Sequence, residues 1–163
     1  MHASPAPLPL REVVERRIAY AERRYRQKAT GRPTRHHHNV AAALTRLLAF
    51  VELEHARNPS RGPATLLSLT KGTLRAWMDE MSAERQRLPD GRPGELLLSR
   101  GTINAYLQLV KQMVEWAEAL ELCPESVKDE VNKVKRLKEG EAKETEPRVP
   151  TDLDVARFLD QVR

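Results

Sequence analysis

Large apolar side chains recur along this chain at intervals of three and four residues, with charged side chains between them, in five separate stretches. That period puts them on one face of an α-helix, which completes a turn every 3.6 residues. Leu10, Val14, Ile18, Ala21 and Tyr25 predict a first helix over 9–28, ended by Gly31 and Pro33. Val40, Leu44, Leu47, Leu48 and Val51 predict a second over about 34–56, closed by the loop ARNPSRGPAT. Thr70 caps a third, KGTLRAWMDEMSAERQ, with Leu74, Trp77, Met78 and Met81 on its apolar side; the Pro- and Gly-rich RLPDGRPGE follows as a loop. Ser99 caps a fourth, whose stripe is Ile103, Leu107, Val110, Val114 and Ala117, supported by Tyr106, Met113 and Trp116. Pro124 suits a first turn, and the fifth helix continues through ESVKDEVNKVKRLK with Val127, Val131, Val134 and Leu137 on one face.

The flanks read differently. MHASPAPLP cannot sustain helix or central strand and is expected to be a loose tail over 1–8. EGEAKETEPRVP has almost no large apolar side chain and reads as a linker over 139–150. Beyond it, TDLDVARFLDQVR opens a short helix over 151–163 with Thr151 as cap and Asp154 at the capping-box position, as if a further domain began there. The expected fold is therefore all-α: a compact four- to five-helix bundle over 9–138, a C-terminal linker and a short helix, with little or no β-sheet.

Composition narrows the picture. With 31% charged and 4% aromatic residues and a mean hydropathy of −0.61, the core has to come from Leu, Val, Ile and Ala, as in small helical bundles. The formal charge of +5 is unevenly spread: nine Lys or Arg face three Glu between Arg11 and Arg35, and five face two acidic residues between Val127 and Lys138. Such clustering favours a polyanionic partner, nucleic acid ahead of an acidic membrane surface. One cysteine, Cys123, excludes an internal disulfide and a Cys-built zinc site and reads as a packing residue. No apolar run nears the roughly 20 residues of a membrane span, so a soluble, cytoplasmic protein is expected.

The fourth helix sets Arg100, Asn104, Gln108 and Lys111 four, four and three residues apart, in a row opposite its apolar stripe. Periodicity alone leaves that row either a solvated face or a contact surface. As a contact surface it suits DNA: Arg reads guanine, Asn reads adenine, and Gln and Lys reach bases or phosphates. Gly101 and Thr102 add backbone amides and a hydroxyl at the helix start. Thr70, Lys71, Gly72 and Thr73 form a second candidate phosphate seat, with Arg75 alongside, against plain N-capping. Lys133, Lys135, Arg136 and Lys138 either follow a phosphate backbone or form a solvated basic helix. His36, His37 and His38 are adjacent and lack the i, i+4 spacing of a zinc pair, and Asp79 and Glu80 have no partner constellation, so neither a metal nor a cofactor is expected.

The order of these segments resembles the phage-integrase or tyrosine recombinase family. Leu69 and Thr70 before a short helix, then Ser99, Thr102, Ile103 and Asn104, then Trp116 and Ala117, then Leu122 and Pro124, follow the pattern of the core-binding domain that precedes the catalytic domain. The similarity spans about residues 9–138, and RVPTDLDVARFL resembles the start of the catalytic domain. The first helix and the GRPTRHHHNV junction depart from that pattern.

The resemblance implies a SAM-like helical domain that grips double-stranded DNA at a recombination half-site for integration or recombination. It implies a chain that is monomeric alone and joins a higher-order assembly only with the full-length protein and DNA. The family's Tyr nucleophile and its Arg, Lys and His partners belong to the catalytic domain, so no cleavage is expected of this chain; Tyr20, Tyr25 and Tyr106 lie on or beside apolar stripes and read as packing residues. The alternatives are a helical protein-interaction module and a DNA-binding regulator without catalysis.

Overall fold

A computed structural model describes residues 7–144. Five helices carry the fold: α1 (Leu10–Arg24), α2 (Arg35–Arg57), α3 (Lys71–Ala83), α4 (Arg100–Ala119) and α5 (Glu125–Asn132). The expected tail over 1–6, residues 145–150 of the expected linker and the short helix over 151–163 lie outside the described residues.

Helix α4 is the centre, packing against each of the other four helices. Seven of its side chains are buried: Ile103, Leu107, Leu109, Val110, Met113, Val114 and Ala117. They meet Leu10, Val13 and Val14 of α1, Leu44, Leu47 and Val51 of α2, Leu74, Trp77 and Met78 of α3, and Val127 and Val131 of α5 in one core. The helix starts follow from side-chain oxygens that take up unpaired amides. Thr34 Oγ1 accepts from His37 N at 3.4 Å, Thr70 Oγ1 from Thr73 N at 3.2 Å and Ser99 Oγ from Thr102 N at 3.2 Å.

Three boundaries differ from the periodic reading. Helix α1 stops at Arg24 because Tyr25 and the residues after it close a loop, with Gln27 N donating to Arg32 O at 2.9 Å and Thr34 N to Tyr25 O at 3.0 Å. Helix α3 stops at Ala83, and Arg85–Arg87 (β1) pairs antiparallel with Pro93–Leu96 (β2). This hairpin corrects the expectation of little or no sheet. Its turn is closed by Gly91, at φ +83°, whose N–H donates to Leu88 O at 2.9 Å. The left-handed turn is open to glycine without steric cost, so the chain reverses there instead of extending the helix.

The third difference is the most consequential. Helix α5 ends at Asn132, six residues before the expected end at 138. From Lys133 to Glu144 the chain is non-helical and runs back along α4 towards Ser99, where Ser99 and Lys143 form a parallel bridge. Val134 and Leu137 remain buried, at 2% and 3% exposure, although the chain that carries them is no longer helical. Residues 139–144, expected to begin a free linker, are the end of this strap, and Ala142 packs against the core.

Candidate nucleic-acid interface

The strap determines what the polar row of α4 does. Extended backbone laid on a helix leaves its N–H and C=O groups without regular partners, and buried ones are costly unless satisfied. Asn104 satisfies both groups of one residue: its Nδ2 donates to Leu137 O at 3.2 Å and its Oδ1 accepts from Leu137 N at 2.8 Å. Lys111 Nζ donates to Val134 O at 2.8 Å. The spacing fits, since seven residues of helix rise about 10 Å and three residues of extended chain cover about the same distance. At the N-terminal end Arg100 N donates to Lys143 O at 2.6 Å, and the Arg100 guanidinium pairs with Glu144 at 2.8 Å.

Three members of the row, Arg100, Asn104 and Lys111, are thus occupied by the chain's own strap. This corrects the expectation that the four side chains present one free face. Gln108 alone is exposed, with no hydrogen bond among the described residues. Thr102 is also engaged, its N–H and hydroxyl both directed to Ser99 Oγ, at 3.2 and 3.0 Å. Gly101 stays exposed, and a Cβ there would meet only Ser99 Oγ, at 3.9 Å.

The second candidate seat is filled as well. At the start of α3, Lys71 N donates to Glu130 Oε2 of α5 at 3.2 Å. A carboxylate of the chain thereby takes the place an anion would take at that helix end, beside the Thr70 and Thr73 hydroxyls, which bond each other at 3.1 Å. The Lys71 amide, with Lys133 at 3.1 Å, holds the Glu130 carboxyl below its ordinary value. Arg75 is neutralised by Glu141 at 3.2 Å and Asp79 at 3.4 Å. Thr70, Lys71, Thr73 and Arg75 of the expected phosphate seat are thus engaged within the chain, as is Lys133 of the basic stretch.

What remains open to a partner lies beside the row. Two adjoining depressions, of 450 and 580 Å³, share Gly101, Ala105 and Gln108 of α4 as their floor. One bank is Arg136 of the strap with Arg100. The other is Arg35, His36 and Asn39 in the first turns of α2. Arg35, Lys135 and Arg136 are exposed and have no carboxylate partner among the described residues. Burial lowers the Lys111 pKa and the nearby Arg136 lowers it further, so positive charge is crowded on this side of α4. Arg35 was not among the candidate contacts; its place at a basic helix start, two residues after Pro33, was the available signal.

The histidines split between tasks. His36 meets the Tyr25 ring edge-on at 4.4 Å, whereas His37 and His38 lie 5.3 Å apart. Among the described residues no three His, Cys, Asp or Glu side chains form a group able to hold a metal ion. Tyr20 packs on Trp116 at 5.7 Å, and Tyr25 and Tyr106 pack partly against the core. Burial, with Glu118 adding to it, raises the Cys123 pKa and keeps the thiol protonated. Among the described residues no helix is long and apolar enough to cross a membrane.

Comparison with models of known protein families, with curated proteins and with solved structures finds no match to this chain.

Proposed function

We propose that this chain is a DNA-binding domain of the core-binding kind found in tyrosine recombinases, gripping double-stranded DNA at a recombination half-site. The observation that carries the reading is the groove over α4: a floor of Gly101, Ala105 and Gln108 between two banks of cations without carboxylate partners, Arg35 on one side and Arg136 on the other. Small floor residues admit a phosphate backbone closely, and Gln108 offers an amide to a base edge. Lys135 extends the positive side. Arg100, with Glu144 already on it, serves the strap first. In this reading the chain supplies grip and no strand cleavage, acts as a monomer, and enters a larger assembly only with a catalytic domain and DNA.

Fluorescence anisotropy with a labelled duplex over a salt series tests it. Counterion release gives a linear fall of log affinity with log salt, by about 0.9 for each phosphate neutralised. Arg35→Glu and Arg136→Glu are expected to weaken binding and flatten that slope while leaving the unfolding midpoint unchanged, since both side chains are exposed. Arg100 and Lys111 are unsuitable probes because replacing them disturbs the strap. Salt-independent binding, or no loss in either variant, overturns the proposal.

A further inference from the structure

Arg17 of α1 is the one charged residue buried among the described residues, at 6% exposure. Its Nε is enclosed without a hydrogen-bond partner, and no carboxylate pairs with it among the described residues. The guanidinium carbon lies 5.2 Å from the centre of the Tyr20 ring and 5.5 Å from that of Trp116. Arginine stays charged when buried, and aromatic faces offset only part of the cost of leaving water. A guanidinium with an enclosed, unpaired Nε, resting on two rings and on no carboxylate among the described residues, is short of an anion.

It also lines a cleft. An open cavity of 530 Å³ is bounded by Arg17, Tyr25, His36, Gln112, Glu115 and Trp116. The lining has three chemical parts: a buried cation, a wall of aromatic rings, and Gln112 with Glu115, which accept hydrogen bonds from an amino group. Glu115 is exposed and leaves Arg17 unpaired.

We infer that this cleft binds a single nucleotide, with its phosphate on Arg17, its base against the Trp116 and Tyr25 wall, and the amino edge of the base towards Glu115 and Gln112. Each part answers one part of the lining. A phosphate supplies the missing anion, a base stacks on aromatic rings, and a carboxylate accepts from the exocyclic amines of guanine or cytosine more readily than from the single N3–H of thymine, which lies between two carbonyl oxygens that repel it. The same chemistry comes from a free mononucleotide or from a nucleotide unstacked out of a strand. The cleft shares only His36 with the groove over α4 and stands apart from the duplex-binding proposal.

The chain's two tryptophans make the test direct. Trp77 is 2% exposed in the core, so a ligand added to the whole 163-residue protein quenches Trp116. Deoxyguanosine and deoxycytidine monophosphates are expected to quench saturably. The matching nucleosides should bind at least about tenfold more weakly, the loss expected for a charge-assisted hydrogen bond. Glu115→Gln, on an exposed position, should lessen the preference over thymidine monophosphate without moving the unfolding midpoint, and Arg17→Gln should abolish binding. Quenching only by a DNA hairpin with one unpaired nucleotide, and not by mononucleotides, supports the site and assigns it to a strand. Absence of saturable quenching by any of these, equal binding of nucleoside and nucleotide, or unchanged selectivity in Glu115→Gln overturns the inference. Arg35→Glu should leave this binding intact, so the two proposals fail separately.

Discussion

Replacing Asn104 by alanine separates a structural role for the polar row from a solvent-facing one. Asn104 makes two hydrogen bonds to Leu137, at 2.8 and 3.2 Å, from a half-buried position. Each is worth about 1 kcal/mol net, and stranding the Leu137 N–H against the bundle adds about 1 kcal/mol or more. The sum is a destabilisation of about 3 kcal/mol, or roughly 6–12 °C in the melting temperature of a domain this size. The strap has Val134 and Leu137 buried beneath it, so the loss is felt by the whole bundle and not by a frayed end. Urea unfolding followed by far-UV circular dichroism measures it. Gln108→Ala, one turn along the same helix face and exposed, is expected within about 0.5 kcal/mol of the parent. Equal stabilities for the two variants would refute the strap's attachment through Asn104.

Four other outcomes follow from the same geometry. Ser99→Ala removes the cap on Thr102 N and should cost about 1 kcal/mol in a denaturant titration. Leu107→Ala, at 1% exposure in the stripe of the central helix, should cost about 2–5 kcal/mol by calorimetry. Glu130 and Glu141 both titrate below the ordinary carboxylate value of 4.5, so their contribution is complete above that value and is lost as pH falls through their folded values; Glu130→Gln should flatten the acid limb of the stability profile. Lys111 titrates below 10.5, so the folded state gains relative stability as pH rises through its folded value towards 10.5, and Lys111→Met should remove that alkaline rise.

The helices were legible in the sequence because burial there depends on period. Val14, Leu44, Trp77, Leu107 and Val127 sit where a spacing of three and four puts them. Thr70 and Ser99 cap the helices they were expected to cap. The ends of α1 and α3 were less legible, because a helical stripe does not say whether the next polar residue adds a turn or reverses the chain. At Glu84 the choice is made by contacts distant in sequence: its carboxylate meets Arg46 at 2.7 Å and its carbonyl accepts from Leu97 N at 2.8 Å. RLPDGRPGE carried the turn signal correctly, but the pairing of β1 with β2 has no alternating apolar pattern to announce it.

The intrachain partners of the polar row were not legible in the sequence for a related reason. A polar row on a helix has the same appearance in sequence whether its partner is water, a nucleic acid or the backbone of the same chain. Backbone carbonyls such as Val134 O and Leu137 O belong to every sequence, so nothing in Asn104 or Lys111 discloses that these groups lie opposite. The hidden variable was the end of α5: Val134 and Leu137 extend the helical stripe in the sequence, but only a chain that has left the helix frees their backbone to claim α4's row. Once the strap is in place, the residues left for a polyanion are those it does not cover. Gln108 and Gly101 stay on the floor, Arg136 rides on the strap's outer side, and Arg35 approaches from α2. The proposed contact surface is therefore displaced sideways from the row by part of a helical turn, and the strap that covers Asn104 is also what carries Arg136 to its edge.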